Sequence, residues 1–321
     1  MPSQPRIHLV RHAQGYHNLG VEFHSLPDPR LTPLGESQCK TLQTTHFPPE
    51  RQQNISLVTA SPLCRTIHTA HLVFSPALTN GKCQPPAILA VPDAQETSDF
   101  PCDTGSDPAT LAAICAEQGW RVDLSLVREG WNVKTLDGRY SPASDAIKAR
   151  ARAVRLLLRE KAQQLAAAGD ADVEIVLVTH GSFLHYLTND WEDANKVGGT
   201  AWTNCEHRTY EFENDNDNDA TEAFLVETAE SRARRGKTYP MLPRDKQAEL
   251  FTLAMQGWEE AGLQNPAKLN NTNGDAQALK PEDSDVTEVE VENEAKQGQE
   301  PAAKNVKVST NKRSSDVSVK A

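Results

Sequence analysis

Short apolar runs alternate along this chain with longer stretches in which apolar residues recur every three or four positions. The runs at 7–10, 55–60, 88–91 and 173–179 read as strands covered on both faces, because a strand with one wet face would alternate apolar and polar residues. Segments 203–212 and 223–228 complete the candidate strands. Thr32-Pro33 places a capping residue before a proline at the first helical position and opens a helix through Gln38. Ser61-Pro62 opens a second helix, and Ser106-Asp107-Pro108 a third that stops at Gly119. Ser141-Pro142 begins the longest helix, which Gly169 ends. There Ile147, Val154, Leu158 and Leu165 keep helical spacing, while Lys148, Arg152, Arg155, Arg159 and Lys161 fall elsewhere and read as a solvated face. A last helix spans 244–261 and carries Leu250, Phe251, Leu253, Ala254 and Trp258. This alternation predicts an α/β fold with a mostly parallel sheet covered by helices. Residues 92–141, frequent in Gly, Pro and Asp, read as a cap-like insertion.

Composition sharpens the boundaries. The apolar fraction of 38% is low for a compact globule, and the deficit sits in 264–321, which contains no aromatic residue. Such a segment cannot offset its ordering entropy by burial, so it reads as a disordered acidic tail after a catalytic domain at 1–263. The formal net charge of −11 argues against nucleic acid as a partner. A basic cluster, Arg232, Arg234, Arg235 and Lys237, follows the acidic stretch EFENDNDND and reads as a solvated loop of mixed charge. No apolar run approaches the ~18 residues of a membrane span, and none resembles a secretory signal. The six cysteines lack CxxC pairs or zinc-like spacing. A cytoplasmic protein with free thiols, no membrane contact and no metal site is the expectation, with the nucleus left open. Cys64 and Cys102 read as small buried hydrophobes.

Chemistry gathers where predicted strands end. Strand 7–10 runs into Arg11-His12, strand 55–60 into Ser61-Pro62-Leu63-Cys64-Arg65, and strand 173–179 into His180-Gly181. Ligands of open α/β sheets bind beyond the carboxyl ends of the strands. Two guanidinium groups and two imidazoles collected there suit a phosphate dianion. His12 fits the role of nucleophile, since a neutral imidazole nitrogen can attack phosphorus and form a phosphohistidine. Its other ring nitrogen then needs an acceptor to hold the tautomer, and a backbone carbonyl is expected. A leaving alkoxide also needs a proton from an acid of raised pKa. Glu96, just after strand 88–91, is placed for this, with Asp93, Asp99 and Asp103 as rivals.

The motifs LVRHAQGYHN, DPRLTPLGESQ, SPLCRTIHTA and LVTHGSFLHYL, in this order over 9–187, resemble those of the histidine phosphatase superfamily, in its phosphoglycerate-mutase-like branch. The resemblance extends over about residues 5–230 and implies a three-layer α/β/α sandwich. It implies that His12 is transiently phosphorylated, that Arg11, Arg65 and His180 bind the phosphoryl group with Asn18 at the pocket's edge, and that Glu96 donates the proton. No metal or other cofactor is implied. The chain departs from the usual pattern by Ala13 and Gln14 after the histidine, and by Thr97-Ser98-Asp99-Phe100 after Glu96, where phosphoglycerate mutases carry basic residues. The latter favours hydrolysis.

The expected activity is therefore that of a metal-independent phosphomonoesterase acting on a small phosphorylated metabolite. A phosphoglycerate-type phosphomutase is the alternative, and a non-catalytic protein that binds phosphate esters a weaker one. The physiological substrate and the oligomeric state are left open by the sequence.

Overall fold

The computed structural model describes residues 4–194, 200–213 and 221–270. Its elements run β1 (Arg6–Arg11), α1 (Pro33–His46), α2 (Pro49–Gln52), β2 (Leu57–Ala60), α3 (Cys64–Asn80), β3 (Ile88–Ala90), α4 (Pro108–Glu117), β4 (Val122–Asp123), α5 (Ser144–Ala167), β5 (Glu174–Thr179), α6 (Gly181–Thr188), β6 (His207–Phe212), β7 (Leu225–Glu227), α7 (Ala229–Arg234) and α8 (Arg244–Glu260). The strands form one seven-stranded sheet in the order β4-β3-β2-β5-β1-β6-β7. β1 to β5 are mutually parallel, and β6 runs antiparallel to both β1 and β7.

Successive side chains of a strand point to opposite faces, so a strand buried on both must be apolar throughout. Val176 and Val178 of β5 enter a core with residues of α1, α3 and α4. Ile175 and Leu177 enter the other core, with α5, α6 and α8. Helices thus cover both faces, as the continuous apolar runs predict.

Several boundaries differ from the sequence reading, each for a tertiary reason. α3 begins at Cys64, three residues past Ser61, because the Cys64 amide is capped by the carboxylate of distant Asp28 at 2.9 Å. β6 begins at His207, since Thr203 and Glu206 close a turn on each other. α5 starts at Ser144. β4 is two residues long, too short to show any periodicity. Arg155 is not on a solvated face: it is buried, bonded to the backbone of Glu222 and Leu187. The basic cluster is not a solvated loop either. Arg232 and Arg235 belong to or end α7 and reach the buried carboxylates of Asp190, Glu192 and Glu227, while Lys237 pairs with Glu192 and Asp193. The acidic stretch before it lies largely outside the described residues.

The described chain continues past residue 263 into a 3-10 turn at Pro266–Asn270 with Pro266 buried and Ala267 half-buried; the rest of the proposed tail lies outside the described residues. No helix among the described residues is long and apolar enough to cross a membrane.

Candidate active site

Parallel pairing carries three strand ends to one edge of the sheet. Arg11 of β1 pairs with Thr179 of β5, and the His12 amide then donates to the Thr179 carbonyl at 2.9 Å. The Ser61 amide donates to Val178 at 3.0 Å, which brings the β2–α3 turn beside them. Arg65 stands in the first turn of α3, fully buried. Behind the β1 loop, α1 packs so closely that a Cβ on Gly35 would lie 2.2 Å from the Gln14 carbonyl oxygen. Only glycine fits there without displacing the turn that follows His12.

Arg65 is the hub of the site. Its Nε donates to His12 Nε2 at 3.3 Å, and its Nη1 to the Cys102 carbonyl at 2.6 Å. Its Nη2 reaches Asp103 Oδ1 at 2.8 Å and His180 Nδ1 at 3.1 Å. A guanidinium can only donate, so both imidazole nitrogens facing it are acceptors. The tautomers follow. His12 donates from Nδ1 to the Ala13 carbonyl at 2.7 Å, which leaves Nε2 unprotonated. His180 donates from Nε2 to Ser61 Oγ at 2.9 Å. The two rings lie 5.2 Å apart, edge to face. Burial, with the charges of Arg65 and Arg11 beside it, holds His12 well below the ordinary histidine value. Burial and Arg65 do the same to His180.

Arg11 is anchored by Thr200 Oγ1 at 3.3 Å and by the Trp202 carbonyl, while its buried Nε has no partner among the described residues. Asn18 Oδ1 accepts from the Gly15 amide at 3.0 Å and from Asn204 Nδ2 at 3.3 Å. Arg11, His12, Asn18, Glu96 and Asp103 line a common cavity of about 240 Å³, with Arg65 and His180 bonded beneath it.

The geometry separates the four candidate acids. Asp93 forms an outward ion pair with Arg139 at 2.5 Å. Asp99 is exposed and bonds Gln264 at 2.9 Å. Asp103 faces the cavity but is engaged by Arg65 and by Ser98 Oγ at 2.5 Å. Glu96 also faces the cavity, its carboxyl oxygens against the amides of Thr97, Ser182 and Phe183 at 2.9 to 3.3 Å. Burial first, and then the Asp103 carboxylate, raise its pKa.

Five residues not singled out by the sequence reading complete the site. His17 lines the cavity with its ring 5.3 Å from His12. Asn204 bridges Asn18 and the His12 carbonyl, and Thr200 holds Arg11. Arg150, on the buried face of α5, donates to the carbonyls of Asp93, Gln95 and Glu96 at 2.8 to 3.3 Å. Lys134 donates to the Glu96 and Ser98 carbonyls at 3.1 and 2.5 Å, and burial pulls its pKa down to about 7. The one available signal was for Arg150, which falls three residues from Ile147 and four from Val154, on the apolar stripe. Cys64 and Cys102 are buried thiols; burial raises both, Cys102 to about 12, and makes neither a nucleophile.

Two guanidinium groups beside an unprotonated imidazole nitrogen, with a carboxyl of raised pKa lining the same cavity, are an arrangement suited to phosphoryl transfer. The sequence profile of the histidine phosphatase superfamily (branch 1) matches residues 7–79. A phosphoglycerate mutase-like protein of Arabidopsis thaliana is 28% identical over 239 residues, covering 63% of this chain and 82% of that protein. Phosphoglycerate mutase-like protein 1 of the same plant is 29% identical over 247 residues, covering 63% and 79%. Among solved structures, the ecdysone phosphate phosphatase of Bombix mori in complex with tungstate is 14% identical, with a TM-score of 0.43, covering 65% of this chain and 89% of that one. The chain is thus similar to the histidine phosphatase superfamily, branch 1, over residues 7–79, and distantly similar to the phosphoglycerate mutase-like proteins.

Proposed function

We propose that this protein is a metal-independent phosphomonoesterase acting on a small phosphorylated metabolite through a phosphohistidine. The observation that carries the reading is Arg65 donating at once to His12 Nε2 and His180 Nδ1, which assembles a cationic cradle around a nucleophilic lone pair. On binding, the phosphate dianion takes donors from Arg11, including the Nε that has no partner among the described residues, and from Arg65, while His180, its one ring proton given to Ser61, orients the Arg65 guanidinium through Nδ1. His12 Nε2 attacks phosphorus; the P–N bond forms as the ester P–O bond breaks, and the Glu96 carboxyl delivers its proton to the departing oxygen. Water then attacks the phosphohistidine. It gives a proton back to Glu96, and the P–N bond breaks to release inorganic phosphate.

The test uses the full chain with 4-nitrophenyl phosphate in EDTA. Turnover is expected, with an acid-labile, base-stable phosphoenzyme, and His12→Ala should abolish both. Turnover that survives in His12→Ala, or that EDTA abolishes, refutes the reading.

A further inference from the structure

The cavity divides into a floor and a wall of opposite character. The floor carries the cations already described. The wall is built from three segments distant in sequence: Val21 and His24 after β1, Phe100 of the insertion, and Trp258, Leu263 and Gln264 at the end of α8. They are held to one another. His24 stacks on Phe100 with ring centroids 5.7 Å apart, and Gln264 Nε2 donates to Asp99 Oδ1 at 2.9 Å. Among the described residues that line the cavity, Arg11 is the one arginine or lysine, and Thr200 and Trp202 tie it to the floor. Asp103, which also lines it, is a carboxylate already paired with Arg65.

From this we infer that the substrates are compact phosphomonoesters whose leaving group is neutral and at least partly apolar, carrying no second phosphate or carboxylate. The inference rests on the phosphatase reading above and specifies its substrate class. A second anion on the leaving group would lose its hydration against Phe100, Trp258 and Leu263 without gaining an arginine or lysine, and would face the Asp103 carboxylate. A neutral alcohol of one ring or a short chain gains apolar contact instead. The volume of about 240 Å³ lies below the usual range for drug-sized ligands and accommodates a phosphoryl group with a small substituent. Bisphosphates and phosphoglycerates are thereby disfavoured, and with them the mutase chemistry that requires them.

A matched pair isolates the charge: benzyl phosphate and 4-carboxybenzyl phosphate, assayed for phosphate release by the full chain. The neutral ester should have a kcat/KM at least about tenfold higher. Val21→Lys, at the exposed rim, should raise kcat/KM for the carboxylated ester about threefold. Phe100→Ala should raise KM for benzyl phosphate several-fold. Equal kcat/KM for the two esters, or a preference for the charged one, overturns the inference; His12-dependent turnover of benzyl phosphate would leave the phosphatase reading standing. If neither these esters nor 4-nitrophenyl phosphate is hydrolysed, the phosphatase reading fails and this inference with it.

Discussion

His12 presents Nε2, rather than Nδ1, because the Ala13 carbonyl accepts the other ring proton and the Arg65 Nε–H points at the remaining lone pair. The carbonyl is one residue away, so the tautomer is set locally; the guanidinium comes from 53 residues downstream. The proposed proton donor was less legible. Glu96 stands near three aspartates in sequence, and only tertiary partners divert Asp93 to Arg139, Asp99 to Gln264 and Asp103 to Arg65. Glu96→Gln should reduce kcat on alkyl phosphates by about 10²–10³-fold, and much less on 4-nitrophenyl phosphate, whose departure hardly needs a proton. Equal losses on both would move the acid elsewhere. The pH profile follows from the two shifts. Neutral His12 persists to well below pH 6.5, and the raised Glu96 loses its proton as pH increases, so activity should fall on the alkaline side. Glu96→Gln should flatten that limb.

At the scale of elements, the segment carrying Glu96 has little regular structure and is held by its carbonyls. Arg150 of α5 takes three of them, and Lys134, between β4 and α5, takes two. A loop fixed in this way can aim a carboxyl without a helix or strand beneath it. Lys134→Met should lower kcat roughly ten- to a hundredfold through misplacement of Glu96, with a smaller change in KM. A second measurement separates positioning from loss of fold. The Lys134 pKa of about 7 lies below its unfolded value of about 10.4, so between these pH values the unfolded chain binds the extra proton and stability rises with pH. Denaturant midpoints across that window should rise less steeply in Lys134→Met. An unaltered slope would show that the ammonium does not feel its surroundings as described.

For the whole molecule, the clearest electrostatic consequence is sensitivity to acid. His12, His17 and His180 are all held neutral by burial, with Arg65 near each. Their folded pKa values lie below the unfolded one, so their contribution to stability is complete above about pH 6.5 and is lost as pH falls below it. The denaturant midpoint should therefore drop between pH 7 and pH 5. His17→Gln should lessen that drop; a midpoint independent of pH in this range would show that the three rings are not buried together. The mixed-charge segment after β7 also belongs to this scale. Arg232, Arg235 and Lys237 join α7 and its flank to the buried carboxylates of Asp190, Glu192 and Glu227. Charge composition alone made it look like a solvated loop, since ion-pair partners up to 45 residues away leave no local pattern.

What the sequence by itself determined was whatever depends on neighbours in the chain. Continuous apolar runs require strands covered on both faces, and Thr32-Pro33 and Asp107-Pro108 start helices with their own caps. Arg11, His12 and His180 follow strand ends at once, and Arg65 follows by five residues. Parallel strands bring such positions to one edge whatever the remaining details. The tertiary structure alone decided which carboxyls face the cavity, which cations hold the Glu96 segment, and which three segments form the wall opposite Arg11. Those contacts cross tens to hundreds of residues, and their energies depend on burial and direction, which a linear pattern does not carry.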